Sequence, residues 1–216
     1  MSTRIAGWGI LIALSLAGPA GARAEDRVVA AQASVRGLAL EDATLEDARA
    51  ALGPAALRHN GGEGSASAWY VCYAGPDGTT LVLESQAETG GGVALTSFQL
   101  LSRADLADTS GDPDALGPLP LAGACTALPT LGRAAATDGG LRLGMDRAAV
   151  EELLGAPAEA GADRLVYVME TRVPMTAEEA AEQGATEDPR WYRWRTVRVE
   201  LERGRVVAIR VVGLTC

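Results

Sequence analysis

The sequence predicts an α+β fold of two tandem repeats, each a short helix packed on an antiparallel β-sheet of three to four strands. Two observations carry this. Thr44-Leu-Glu-Asp-Ala-Arg-Ala-Ala-Leu-Gly53 and Asp146-Arg-Ala-Ala-Val-Glu-Glu-Leu-Leu-Gly155 superpose on their glycines. Each is then followed by several strand-like runs separated by turn residues, and a unit of this kind buries its apolar face only against a neighbour.

Taken in order, residues 1–24 have the three parts of an export signal. Arg4 is the positive end, Ile5 to Leu16 form a short apolar stretch, and Ala22-Arg23-Ala24 is a small-x-small cleavage pattern. The apolar stretch is well short of the ~20 residues a membrane span needs. No cysteine follows it, so no lipid anchor is expected. Cleavage near Ala24 would leave a periplasmic or secreted chain without an integral membrane span.

Residues 25–103 make the first repeat. In the helix, Thr44 caps the first-turn N–H groups, and apolar residues recur at helical spacing. Gly53 is expected to close it in the left-handed conformation. Strands are expected at Ser67 to Ala74, Thr79 to Ser85 and Val93 to Leu101, with Gly75-Pro76-Asp77-Gly78 turning between the first two. A weaker strand is expected near Ala56–His59. Residues 104–138, rich in Asp, Gly and Pro at their start, read as a loop and linker.

Residues 139–216 make the second repeat. Asp146 caps its helix and Gly155 stops it. A weak strand near Ala158–Ala160 precedes strands at Arg164 to Val173, Trp191 to Glu202 and Arg205 to Gly213. Arg203-Gly204 forms the hairpin between the last two. Residues 174–190 are an insertion, with Thr176 and Glu179 forming a capping box for a helix over Ala177 to Gln183 that Gly184 ends.

Composition removes much chemistry. All 19 basic residues of this 216-residue chain are arginine, there is one histidine, and the formal net charge is −9. Without lysine there is no Schiff base, P-loop or Ser–Lys dyad. One histidine cannot build a multi-histidine metal site. The acidic balance argues against nucleic acid as a partner. No cofactor-binding motif is present. Export places Cys72, Cys125 and Cys216 where disulfides form. A Cys72–Cys125 bridge would tie a strand to the irregular segment after it and contribute ~4 kcal/mol in the chain-entropy model. Cys216, at the end of the sequence, would be frayed or bridge to a partner.

The most unusual run is Trp191-Tyr192-Arg193-Trp194-Arg195. Aromatics and arginines on an exposed sheet face are the composition of binding hot spots. On a strand, Trp194, Thr196, Arg198 and Glu200 share one face and Val197, Val199 and Leu201 the other. Trp69 and Tyr73, on one face of the first repeat's strand, could extend the surface. The alternative is that the tryptophans fill a core otherwise made of alanines. Asp105, Asp108, Asp112 and Asp114 form an acidic loop that lacks the Glu an EF-hand needs at position 12. His59 has no nucleophile elbow nearby, Ser65 and Ser67 included.

The run Gly144-Met-Asp-Arg-Ala-Ala-Val150-Glu-Glu-Leu-Leu-Gly155-Ala-Pro157, followed by strands, resembles the superfamily of beta-lactamase inhibitory protein and the SmpA/OmlA outer-membrane assembly lipoproteins. The resemblance covers Leu40–Leu101 and Leu141–Gly213. It departs in lacking the lipidated cysteine of the SmpA/OmlA type and in placing Pro54 directly after Gly53. The resemblance implies a non-enzymatic module that binds another protein of the envelope or periplasm, in envelope assembly or enzyme inhibition. It transfers no contact residue. The other readings are a small exported hydrolase with a site around His59 and a structural envelope protein without a discrete site.

Overall fold

A computed structural model describes residues 24–60, 68–85, 94–107, 121, 125–182, 184 and 189–215. In chain order these form α1 (Ala24–Ala31), β1 (Ser34–Val35), β2 (Leu38–Ala39), α2 (Leu45–Leu52), β3 (Arg58–Asn60), β4 (Ala68–Ala74), β5 (Thr80–Ser85), β6 (Ser97–Leu101), β7 (Thr126–Ala127), α3 (Arg147–Leu154), β8 (Glu159–Ala160), β9 (Arg164–Pro174), α4 (Ala177–Glu182), β10 (Arg190–Glu202) and β11 (Arg205–Thr215). The protein is a mixed α+β fold dominated by antiparallel sheet, with few, short helices.

Local chemistry sets the helix ends. The Thr44 hydroxyl accepts from the Asp47 N–H at 3.1 Å while the Asp47 carboxylate accepts from the Thr44 N–H at 2.9 Å. Asp146 accepts from the Ala149 N–H at 2.9 Å. At the other end the expectation needs correcting. Gly53 (φ 107, ψ 161) and Gly155 (φ 81, ψ −157) are not left-handed helical. Both occupy a nearly glycine-only region with extended ψ, so the chain leaves the helix straight toward the sheet. Two hairpins turn on Arg-Gly pairs with both residues at positive φ: Arg36-Gly37 between β1 and β2, and Arg203-Gly204 between β10 and β11.

Among the described residues one sheet of nine strands runs in the order β3-β4-β5-β6-β11-β10-β9-β8, with β7 beside β4. The halves of the chain therefore share one sheet, joined where β6 pairs antiparallel with β11. Two apolar rows cross the six long strands in register. One is Val71–Leu83–Phe98–Val211–Val197–Tyr167, and the other is Tyr73–Leu81–Leu100–Ile209–Val199–Leu165. All twelve are buried, and α1, α2 and α3 cover them with Val29, Leu45, Ala48, Val150 and Leu154. The opposite face carries a smaller cluster of Tyr70, Cys72, Val82, Leu101 and Ala208, covered by Ala107, Leu121 and Cys125.

Strand ends differ from expectation in detail. β6 starts at Ser97, because Leu95 exchanges backbone bonds with Glu41 and Ala43 ahead of α2. The stretch read as linker contributes β7, which adds to β4 in parallel. Helix α1 and the β1–β2 hairpin were not expected. The expected signal segment up to residue 23, Ser65 and Ser67, Asp108, Asp112 and Asp114, Gln183 and Cys216 lie outside the described residues. No helix among the described residues is long and apolar enough to cross a membrane.

Candidate interaction surface

β10 alternates across the sheet, so its Trp-Tyr-Arg-Trp-Arg run splits between two faces. Trp191, Arg193 and Arg195 point to the side of the helices. There Arg193 Nε and Arg195 Nη2 lie 3.0 and 2.8 Å from the Glu41 carboxylate, which also accepts from Thr215 Oγ1. Glu41 holds a positive φ of 68° to present that carboxylate. Bonds from the Thr176 N–H, from its hydroxyl and, least, from Trp191 hold Glu179 below the usual carboxylate range, so Trp191 lies against the first turn of α4. These three residues staple neighbouring elements together, which corrects the expectation that the run acts as one surface.

Tyr192 and Trp194 face the other way and are 39% and 44% exposed. Val168 of β9, opposite Thr196 and diagonal to Trp194, is 54% exposed. These are the exposed large hydrophobic side chains among the described residues, and they sit together. The Arg172 guanidinium lies 5.1 Å over the Tyr192 ring.

Beside this patch a cleft of about 280 Å³ opens among Val166, Thr196 and Val212, with Arg164, Arg198 and Arg210 around it. Arg210 Nη1 is 2.6 Å and Arg198 Nε 3.7 Å from Glu200. Arg210 also donates to the Leu106 carbonyl, which fixes its head group. Arg164 faces Glu159 at 3.6 Å. Arg198 and Arg210 are themselves buried, 7% and 3% exposed, so Arg164 is the cleft arginine open to solvent, next to aromatic area that is not covered.

Trp69 and Tyr73 do not extend this surface. They lie on the helix-bearing face of the first half. Tyr73 is buried beneath α2, and its hydroxyl donates to the Gly53 carbonyl at 2.9 Å. Its i, i+4 spacing with Trp69 puts both on one face, but that face is the core. Trp69 is half-buried, with the exposed His59 ring 4.8 Å from it. Burial pushes the Tyr73 hydroxyl pKa up.

Cys72 and Cys125 are at disulfide distance, Cα 4.5 Å apart and 53 residues apart in sequence. The bridge brings the chain before β7 onto the centre of β4. Asp105 pairs with Arg103 at 3.0 Å. Among the described residues no three His, Cys, Asp or Glu side chains are grouped to hold a metal ion.

Sequence reasoning missed one buried polar device. Gln32, fully buried at the end of α1, donates to the Val28 and Gly139 carbonyls and accepts from Thr137 and Leu141. A side chain at Gly139 would meet Gln32 Nε2 at 2.4 Å, so only glycine allows this approach. No local signal reveals it, since three of its four partners are more than 100 positions away.

The fold and this face together define a mixed α+β protein with an exposed aromatic and arginine-bearing sheet surface. Comparison with protein-family models, curated proteins and solved structures gives no match.

Proposed function

We propose that this chain is an exported, non-enzymatic protein-binding module acting in the periplasm or outside the cell. The observation that carries the reading is the exposed Val168–Tyr192–Trp194 patch, with the exposed Arg172 over Tyr192 and the exposed Arg164 beside it. Aromatic anchors next to arginine supply the large contact area and directional hydrogen bonds that dominate interface energetics. The reading includes two repeats of the beta-lactamase-inhibitory-protein type. Its support is the strand order, in which β3-β4-β5-β6 and β8-β9-β10-β11 each run inward to the shared β6–β11 pair behind a capped eight-residue helix. Envelope assembly and enzyme inhibition are the roles that the resemblance favours.

The test is capture from periplasmic extract with wild-type chain and with a Tyr192→Ala/Trp194→Ala variant of unchanged thermal stability. The reading expects one envelope or periplasmic protein recovered by the wild type and lost with the variant. Equal recovery by both, or an activity abolished by His59→Ala, overturns it.

A further inference from the structure

The two outer edges of the sheet are finished differently. On the first half, β3 pairs with β4 from Ala68 to Tyr70, and β7 and Leu128 cover Tyr73 and Ala74. On the second half, β8 covers β9 only at Leu165 and Val166, two of its 11 residues. The rest of β9, out to Pro174, is an open edge. Its direction follows from the flanking bonds: Ala158 donates to the Val166 carbonyl and Gly161 to the Arg164 carbonyl, each at 2.8 Å. Even-numbered residues therefore turn their backbone groups outward. The β9–β10 register runs unbroken from Arg164 to Pro174, so Val168, Glu170 and Arg172 do the same. Among the described residues nothing pairs with their N–H and C=O groups.

An open edge of this length is a template for another strand. Its side chains say which strand. Glu170 and Arg172 are exposed, opposite in charge and two residues apart, on the face that carries Tyr192 and Trp194. Centred on Thr171, the edge is complementary to itself. Antiparallel pairing there sets Glu170 against Arg172 of a second copy and Arg172 against its Glu170. Both are hydrogen-bonded positions, so each pair also exchanges two backbone bonds. Thr171 meets Thr171 of the second copy across a non-hydrogen-bonded pair, and Met169 meets Val173, on the helix-bearing face. A shift of the axis to Glu170 would oppose like charges, which the alternation disfavours. Pro174, which has no N–H, ends the match.

We propose that β9 pairs antiparallel with β9 of a second copy about a two-fold axis at Thr171, extending one sheet through both molecules. This does not rest on the partner-binding reading of the aromatic face, because it uses the strand's backbone edge and the Glu170–Arg172 alternation; Arg172, which also lies over Tyr192, is the residue the two share. Strand pairing alone covers less than a standard interface, so the dimer is concentration-dependent, with a dissociation constant between about 1 μM and 1 mM.

Sedimentation equilibrium of the full exported chain over that range tests it. Glu170→Arg and Arg172→Glu each place like charges opposite one another twice, and each weakens dimerisation about tenfold or more. The Glu170→Arg/Arg172→Glu double variant restores the opposite-sign pairs and the affinity. A second measurement reads the register. In a Cys216→Ser background, Thr171→Cys oxidises to a covalent dimer, since non-hydrogen-bonded partners lie about 4.5 Å apart, within disulfide reach. Val168→Cys, opposite Pro174, does not. A monomer at all concentrations, a dimer indifferent to both charge reversals, or equal cross-linking by the two cysteines overturns the proposal.

Discussion

Two tyrosines on the helix-bearing face differ in one atom's surroundings, and the difference has a thermodynamic consequence. Tyr73 donates to the Gly53 carbonyl and so fixes the exit of α2. The buried Tyr167 hydroxyl has no hydrogen-bond partner among the described residues, and burial, then the Glu151 charge, pushes its pKa up to about 12. Tyr73→Phe should therefore lose about 1 kcal/mol of stability, whereas Tyr167→Phe should be neutral or gain up to about 1 kcal/mol. Urea unfolding of the two variants checks the pair. The alkaline limb has a definite sign. A raised folded-state pKa means the Tyr167 contribution is complete below pH 10 and is lost as pH rises toward 12, a loss that Tyr167→Phe should reduce. Neither distinction was readable in the sequence. Alternation identifies the two faces of a strand but not which face the helices cover, which is why Tyr73 read as a surface candidate.

The helices were legible because their signals are local. A side chain three residues before the N–H it accepts from is a short-range fact, and Thr44, Asp146 and Thr176 all behave as their types predict. Thr44→Ala and Asp146→Ala should each cost about 1 kcal/mol, read as a fall in thermal midpoint. The capping box adds a pH dependence. Bonds from the Thr44 hydroxyl, then its N–H, hold the exposed Asp47 carboxyl below its ordinary value. A lowered folded-state pKa stabilises above the ordinary range and is lost as pH falls through the lowered value. Asp47→Asn should flatten the acid limb of the stability profile, and an unchanged limb would show that the box contributes nothing. By contrast α1 was not anticipated, because a two-turn helix does not persist alone and its burial comes from packing against α3, β9 and β10. The β1–β2 hairpin escaped for a related reason. Its Arg36-Gly37 turn matches Arg203-Gly204, but only two-residue strands flank it.

At the scale of the molecule, the β6–β11 pairing joins the two halves in one sheet, and the halves are expected to unfold as one body. Phe98, the one phenylalanine of the chain, is buried at that seam between Leu83 and Val211. Phe98→Ala should cost about 3–5 kcal/mol. It should lower both halves together, which Trp69 fluorescence for the first half and Trp194 fluorescence for the second can follow in single-tryptophan variants. Separated transitions would mean the seam does not couple them. The seam was not legible, because which strands pair between halves is decided by long-range packing, although β6 and β11 were each recognisable as strands. The same sheet leaves the aromatic face of β9 and β10 open, and the proposed function rests there. The most direct test is oxidative footprinting of Tyr192 and Trp194 with the captured partner bound and absent. The account predicts that both rings become protected while Trp69 and Tyr73 keep their reactivity. Unchanged oxidation of Tyr192 and Trp194 in the complex would contradict it.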